Sequence, residues 1–440
     1  MKKYPEKTIG ELCDIQKGET GILSAIAGEY PLVTTGKERK TSATYQFDTQ
    51  AVCIPLVSSS GHGKKSLNYV HYQEGKFALG TILAAIIPKN NNEISADFLH
   101  QYLLFYKDIK IVPLMRGAAN VSLAVKDIAK IEIPLPPINE QKNFIVFFNE
   151  LQKFNDELIR EFEKQEKYVS QLKEAILQEA IAGQLTAEWR TQNPMQKGNP
   201  DTDAAALLAK IKAEKQQLIA EGKLKKEKPL PEIAIDEIPF SLPNSWVWCR
   251  LGEVCDIKGG KRVPNGYKLK TTPTPYIYIR VTDMKNGTID NSDIHYIDEE
   301  VYQGIKRYTI SKDDIYMTIV GATIGKCGLV PEKFNGMNLT ENAAKIVLFS
   351  INKMFLLNCL NSRFCQDQFI DKTKQVAVQK MALNRFSSTL ISLPPVAEQK
   401  AIAEKVDRLM NIIDQLEQQI KHRKQLAEDL MQTVLREAFE

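Results

Sequence analysis

Several short stretches of this chain carry residue types whose spacing could do chemistry. Gly321-Ala-Thr-Ile-Gly325-Lys326 resembles a phosphate-cradling loop, but it is one residue short, and Cys327 stands where a Mg²⁺-binding hydroxyl would be needed. It reads as a Gly-bearing β-turn. Glu140-Gln-Lys142 and Glu398-Gln-Lys400 match the E-x-K spacing of metal-dependent nucleases. Both follow a Pro pair, however, and no neighbouring strand offers the metal-binding Asp, so helix-start chemistry explains them better. Asn193-Pro194-Met195 lacks the second Pro and the aromatic that would hold a flipped adenine, and no Gly-rich cofactor loop follows a strand. The seven Cys form no CxxC, and Cys249/Cys255 and Cys359/Cys365, each with five residues between, are not spaced for a metal. No Ser/His/Asp or Cys/His set can be assembled, so neither a catalytic nor a metal site is expected, and the thiols read as reduced and buried.

The elements behind these fragments occur twice. Ile133 to Lys142 reads IPLPPINEQK and Ile391 to Lys400 reads ISLPPVAEQK, each opening a segment free of Gly and Pro that runs to Ala182 or Glu440. The apolar residues step by threes and fours. With polar residues at a few positions, the runs are Phe144, Phe148, Leu151, Asn155, Leu158, Phe162, Gln165, Val169, Leu172 and Ile176 in the first copy, and Ile402, Val406, Leu409, Ile413, Leu416, Ile420, Arg423, Ala427, Leu430 and Val434 in the second. A 3.5-residue repeat sustained over about five heptads predicts a coiled-coil seam, and about 1.5 Å per residue makes each helix roughly 65 Å long. Gln165 and Arg423 interrupt the seams at matched positions; they read as polar gaps, or as a register lock or crossing point. The Pro pairs suit helix entry, and Glu140 and Glu398 complement the positive helix N-terminus.

Each helix follows a globular stretch, and the two stretches are related. Leu251-Gly-Glu-Val-Cys-Asp-Ile257 echoes Ile9-Gly-Glu-Leu-Cys-Asp-Ile15, and the Ile351–Leu357 region echoes Ile94–His100, with divergence between these anchors. That is the pattern of a duplicated scaffold carrying two different surfaces. In the first copy, Ala51 to Val57 and Thr81 to Ile87 read as strands and Ser95 to Phe105 as a helix. The expected fold is α+β: two tandem domains, each a small mixed sheet with helices, separated by two long antiparallel coiled-coil helices in a pseudo-twofold repeat. The expected boundaries are a domain at 1–138, a helix at 139–182, a connector at 183–244, a domain at 245–395 and a helix at 396–440. In the connector, Asp201 or Asp203 should cap a helix from about Ala204 to Ala220, with seven lysines from Lys210 to Lys228. A solvated lysine face is the first reading of that run and phosphate contact the second.

The net charge of +4 is unevenly distributed. Residues 1–138 hold 16 basic against 13 acidic side chains and residues 245–395 hold 20 against 14, whereas the helices carry 6 against 9 and 7 against 9. Basic globular parts joined to acidic helices point to nucleic acid on the former and protein contact on the latter. No apolar run approaches the length of a membrane span, and MKKYPEKT has no apolar core of a signal peptide, which fits a cytoplasmic chain without membrane contact.

Two divergent domains, each followed by LPPxxEQK and a long heptad helix, resemble the specificity subunit of type I restriction-modification enzymes. Supporting phrases are Asp314-Ile-Tyr-Met-Thr-Ile-Val-Gly-Ala-Thr-Ile-Gly-Lys-Cys-Gly-Leu-Val330 and Glu174-Ala-Ile-Leu-Gln-Glu-Ala-Ile-Ala-Gly-Gln-Leu-Thr-Ala-Glu-Trp-Arg190. In the first domain the counterpart of the Gly321 turn is Ser58-Ser-Ser-Gly-His-Gly-Lys64. The resemblance implies a non-catalytic subunit that reads a bipartite double-stranded DNA target, one half-site per target-recognition domain. It implies two methyltransferase subunits bringing S-adenosylmethionine, and restriction subunits using ATP and Mg²⁺; the chain itself would hold no cofactor. Base edges are read by Arg, Lys, Asn and Gln, and phosphates by Lys, Ser and Thr. Loop-borne candidates are Lys37, Arg39, Lys40, Ser59, Lys64, Lys65, Arg116 and Asn120, then Lys261, Arg262, Arg280, Lys285, Thr323, Lys326, Asn342, Lys380, Asn384 and Arg385. The rival readings are a stand-alone nuclease or methyltransferase, which would need the missing motifs, and a purely architectural coiled-coil protein.

Overall fold

The computed structural model describes residues 4–60, 63–226, 228–373 and 380–439. It divides into two compact units, residues 1–164 with 420–440 and residues 165–419, so each long helix contributes one part to each unit.

In the first domain an antiparallel sheet runs in the order Cys13–Lys17, Leu83–Pro88, Ala51–Pro55, His71–Gln73. Its inner strands are continuous apolar runs because both faces are covered: Val52, Ile54, Ala84 and Ile86 meet Phe98, Leu99 and Leu103 of the helix Ala96–Tyr106, while Ala51, Cys53, Leu83 and Ala85 face a second sheet. That second sheet is mixed, in the order Lys40–Ser42, Tyr30–Val33, Lys76–Leu79, Phe47–Asp48, with a parallel pairing of Leu32 to Ala78. A short ribbon, Glu6–Thr8 against Glu132–Pro134, brings the start of the domain to its exit. The single small sheet expected from the sequence is thus two sheets and a ribbon.

The second domain repeats this topology strand for strand. Cys255–Gly259, Ala343–Leu348, Ile315–Thr318 and Cys327–Leu329 form the antiparallel sheet. Tyr296–Ile297, Tyr276–Ile279, Met337–Leu339 and Thr309–Ile310 form the mixed one, with Tyr278 parallel to Asn338. Val247–Arg250 pairs with Leu390–Leu393 as the ribbon. Ile86 lies opposite Ile15 and Val52, and Ile346 opposite Ile257 and Ile315, so the register is duplicated as well. Between the shared strands the second domain adds the hairpin Met284–Lys285/Thr288–Ile289 and the helix Glu299–Ile305.

The long helices span Ile138–Ala182 and Val396–Phe439 and begin directly after the Pro pairs; Glu440, expected to end the second, lies outside the described residues. Gly183, at φ +75°, ends the first in the left-handed region that a side chain would strain. Within residues 165–419 the helices run antiparallel: Lys173 bonds Asp414 and Glu417 at 3.1 and 2.9 Å, while Lys405 reaches the Leu185 carbonyl at 2.8 Å. In the other unit the Arg423 guanidinium lies 5.9 Å from the Phe162 ring centre.

The seam is narrower than the spacing suggests. Phe148, Phe162, Val169 and Ile176 on one helix, and Val406, Ile413 and Ile420 on the other, are buried and step by sevens. Leu151, Leu158 and Leu409 are half-buried. Leu172, Leu416 and Leu430, expected in the seam, are 45, 40 and 64 % exposed. The chain buries one apolar row fully and leaves the second partly open, as in a bundle that lacks further helices. The connector helix is Ala204–Ala220, capped by Asp203. Lys212 pairs with Glu253, and Lys215 donates to the Gly252 and Cys255 carbonyls, so part of the lysine run anchors the helix to the second domain. Among the described residues no helix is long and apolar enough to cross a membrane.

Candidate nucleic-acid interface

In the first domain the strand Ala51–Pro55 leads into a loop whose serines supply the bonds that a strand partner would otherwise give. Ser58 Oγ donates to the Lys64 carbonyl at 2.6 Å, Ser66 Oγ to Ser60 Oγ at 2.7 Å, and Ser59 Oγ accepts from the Asn68 N–H at 2.9 Å. A second loop closes on it. The Ser58 N–H bonds the Val121 carbonyl at 3.0 Å, and Arg116 and Ser122 exchange two bonds of 2.8 Å. Gly63 admits this approach: a Cβ there would stand 2.2 Å from the Ala118 carbonyl oxygen, and its φ is +75°. The fold thereby gathers Ser59, Lys64, Lys65, Arg116 and Asn120, all exposed, on one pair of loops. Gly61 and His62 of the same loop lie outside the described residues.

Lys37 and Lys40 are exposed, but Arg39 between them is committed internally. Its Nε donates to Gln73 Oε1 at 3.0 Å, Nη2 to the Tyr72 carbonyl at 3.1 Å, and Nη1 lies 3.2 Å from His71 Nδ1. Arg39 ties its loop to the edge strand His71–Gln73 rather than offering a free fork. Burial, with the Arg39 charge beside it, pushes the His71 imidazole down to about 4.

In the second domain the Gly321–Lys326 turn occupies the matching place. The Gly325 N–H bonds the Thr318 carbonyl at 2.9 Å, and the Gln366 amide holds the Gly325 carbonyl at 2.9 Å. Val320 pairs with Lys380 as Val57 pairs with Ser122, and Met381 N–H to Ile319 repeats Leu123 N–H to Leu56. The turn forms one wall of a cleft of about 940 Å³, whose other wall is the added hairpin. Four of the expected residues line it: Arg280, Lys285, Thr323 and Lys326.

Their charges are not equally free. Arg280 is held by Asp283 at 2.6 Å and Asp293 at 2.9 Å, and Lys285 by Asp290 at 3.1 Å. The Ser292 hydroxyl, then Lys285, keep the Asp290 carboxyl down at about 2. Lys326 and Lys380 are exposed. Elsewhere the Lys261 ammonium lies 5.8 Å from the Tyr308 ring centre, Arg262 pairs with Glu341 at 2.6 Å, and Asn342 is half-buried. Asn384 and Arg385 line a different cleft of about 580 Å³, together with Lys228 to Pro231 of the connector. Asn286 and Ser292 also line the larger cleft. Sequence reading missed them: Asn286 sits in the turn of that hairpin and Ser292 follows it, bonded to Asp290.

The LPPxxEQK stretches prove to be junctions. Glu398 is buried and accepts from Trp246 Nε1 and Thr186 Oγ1 at 2.7 Å each, and it pairs with Arg190. In the first half Tyr4, which aligns with Trp246, donates to Glu140 at 2.6 Å. This is structural chemistry, and it accounts for the E-x-K spacing without a metal.

The family described as "Type I restriction modification DNA specificity domain" matches residues 1–167 and 243–423. The chain is 28 % identical over 342 residues to the specificity subunit of the type I restriction enzyme EcoAI of Escherichia coli, covering 67 % of this chain and 55 % of that one. It is 24 % identical over 439 residues to the EcoDI specificity subunit of the same species, covering 98 % and 87 %. It spans about half the length of the EcoAI and EcoEI specificity subunits that it matches. Two solved structures share the fold. One is a chain from work on complex assembly and conformational transition of the type I R-M system, with a TM-score of 0.67 at 17 % identity, covering 100 % and 99 % of the two chains. The other is the HsdS subunit of Thermoanaerobacter tengcongensis, with a TM-score of 0.53 at 16 % identity, covering 99 % and 96 %.

Proposed function

Because this chain belongs to the type I restriction-modification DNA specificity family, we propose that it is the cytoplasmic specificity subunit of such a complex. In this reading it binds double-stranded DNA at a bipartite target, one half-site per domain, and performs no chemistry itself. The observation that carries the reading is the duplicated topology, with a basic loop built on the same strand in each copy. One scaffold used twice with different loop residues is what a two-part target requires. Exposed Lys64, Lys65, Arg116, Lys326 and Lys380 supply phosphate attraction, and polar groups beside them read bases.

Two methyltransferase subunits are the partners that the open row of the long helices suits. Leu172, Leu416 and Leu430, with Phe147 and Phe154, leave apolar surface exposed on acidic helices. Those subunits bring S-adenosylmethionine and methylate adenine; restriction subunits bring ATP and Mg²⁺ and cut. The test is to map methylated adenines in cells with and without this chain. A bipartite motif that disappears with the chain is expected, and an unchanged adenine methylome would overturn the reading.

A further inference from the structure

We infer that Gln141 and Gln399 are positioning residues that set the angle of each recognition domain on its long helix, and through it the spacer between the half-sites. The inference rests on the bipartite reading above. Both side chains are fully buried. Gln141 Oε1 accepts from the Ser95 N–H at 2.9 Å, and its Nε2 donates to the Glu93 and Pro136 carbonyls at 2.8 and 2.9 Å. Gln399 Oε1 accepts from the Asn352 N–H at 2.7 Å, and its Nε2 donates to the Pro394 carbonyl at 2.8 Å.

Ser95 and Asn352 cap the helices Ala96–Tyr106 and Lys353–Asn361, whose inner faces belong to the domain cores. Pro136 and Pro394 belong to the Pro pairs. A single amide in each half therefore clamps a core helix, the Pro junction and the first turn of the long helix together. Apolar contact across the first joint, such as Phe98 edge-on to Phe144 at 5.6 Å, holds the domain without a preferred direction. Hydrogen bonds at fixed geometry add the direction. The two halves differ at the capping residue and in their recognition loops, yet each keeps this amide on the capping residue's N–H and on the first carbonyl of the Pro pair.

The experiment expresses the full chain, with the adenine methyltransferase proposed as its partner, as Gln141→Met, Gln399→Met and the double variant, and maps methylated adenines across the genome. Methionine keeps the length and apolar stem and removes every polar bond. The same half-site bases are expected, with modification at spacers one base pair longer or shorter rising at least about tenfold relative to the parent. Val33→Ala and Ile279→Val weaken the two cores at the mixed sheets, away from the joints, and are expected to keep the parental spacer. A single unchanged spacer in the double variant would overturn the inference, as would the same broadening in the core variants. If the parent chain directs no bipartite methylation, the underlying reading fails instead.

Discussion

Arg39 and Arg280 sit in loops proposed to meet DNA yet spend their guanidinium groups on Gln73 and the Tyr72 carbonyl, and on Asp283 and Asp293. Lys326 and Lys285 are both exposed cations of the larger cleft, and Lys285 is paired with Asp290. Lys326→Ala is expected to weaken DNA binding by the assembled complex at all sequences alike. It should also make the slope of log K against log salt shallower by roughly 0.9, as measured by titration at several salt concentrations. An effect confined to one base position would make Lys326 a base reader instead. His71 gives a pH prediction. Its folded pKa of about 4 lies below its ordinary value of 6.5, so the unfolded chain binds the extra proton in between. Stability is full above 6.5 and falls as pH drops towards 4. From pH 7 to pH 5 this one group should cost about 2 kcal/mol. Urea unfolding of His71→Gln should show a correspondingly smaller loss over that interval.

At the scale of the elements, the long helices separate two roles that the heptad pattern merges. Ile413 is 2 % exposed and Leu416 is 40 % exposed. Ile413→Asp buries a carboxylate without a partner and should cost the chain about 3–5 kcal/mol. Leu416→Asp should leave the melting of the isolated chain nearly unchanged and weaken its assembly with the proposed methyltransferase partner. Parallel thermal melts and co-purification separate the two, and equal destabilisation would place Leu416 in the seam after all. The first helix ends at Ala182, and Thr186 and Arg190 are bound to Glu398. An insertion after Ala187 would therefore disrupt that buried cluster instead of lengthening the helix; a change of helix length has to be made before Gly183.

At the scale of the whole molecule, the proposed function makes the two duplicated domains separable readers. Replacing residues 1–132 with the same region of a relative is expected to change one half-site and leave the other as it was, read from the methylome of the hybrid. Simultaneous change of both half-sites would mean that the domains do not read independently. The replacement ends inside the ribbon Glu132–Pro134 and keeps Gln141, so the donor must supply the equivalents of Glu93 and Ser95 for the joint to close.

The sequence by itself determined the repeat, the two long helices, the connector helix with its cap narrowed to Asp201 or Asp203, the family and the lack of a motif for catalysis. These rest on local spacing, caps and matched positions, which survive divergence because heptads and helix starts are encoded within a few residues. Only the tertiary structure decided which apolar row of the helices is buried, since Leu416 and Ile413 have the same character and differ only in what stands across from them. It also decided that Arg39 and Arg280 are internally paired while Lys64, Arg116 and Lys326 are presented. The partners of Arg39 lie 33 and 34 residues away on the edge strand His71–Gln73, and Asp293 lies 13 residues beyond Arg280, so no short-range pattern encodes those contacts; only Asp283, three residues after Arg280, is local. The glutamines of the two EQK stretches were legible as a repeated residue. Their partners, Ser95 and Asn352, lie 46 and 47 residues away and meet them only when the core helix packs on the Pro junction.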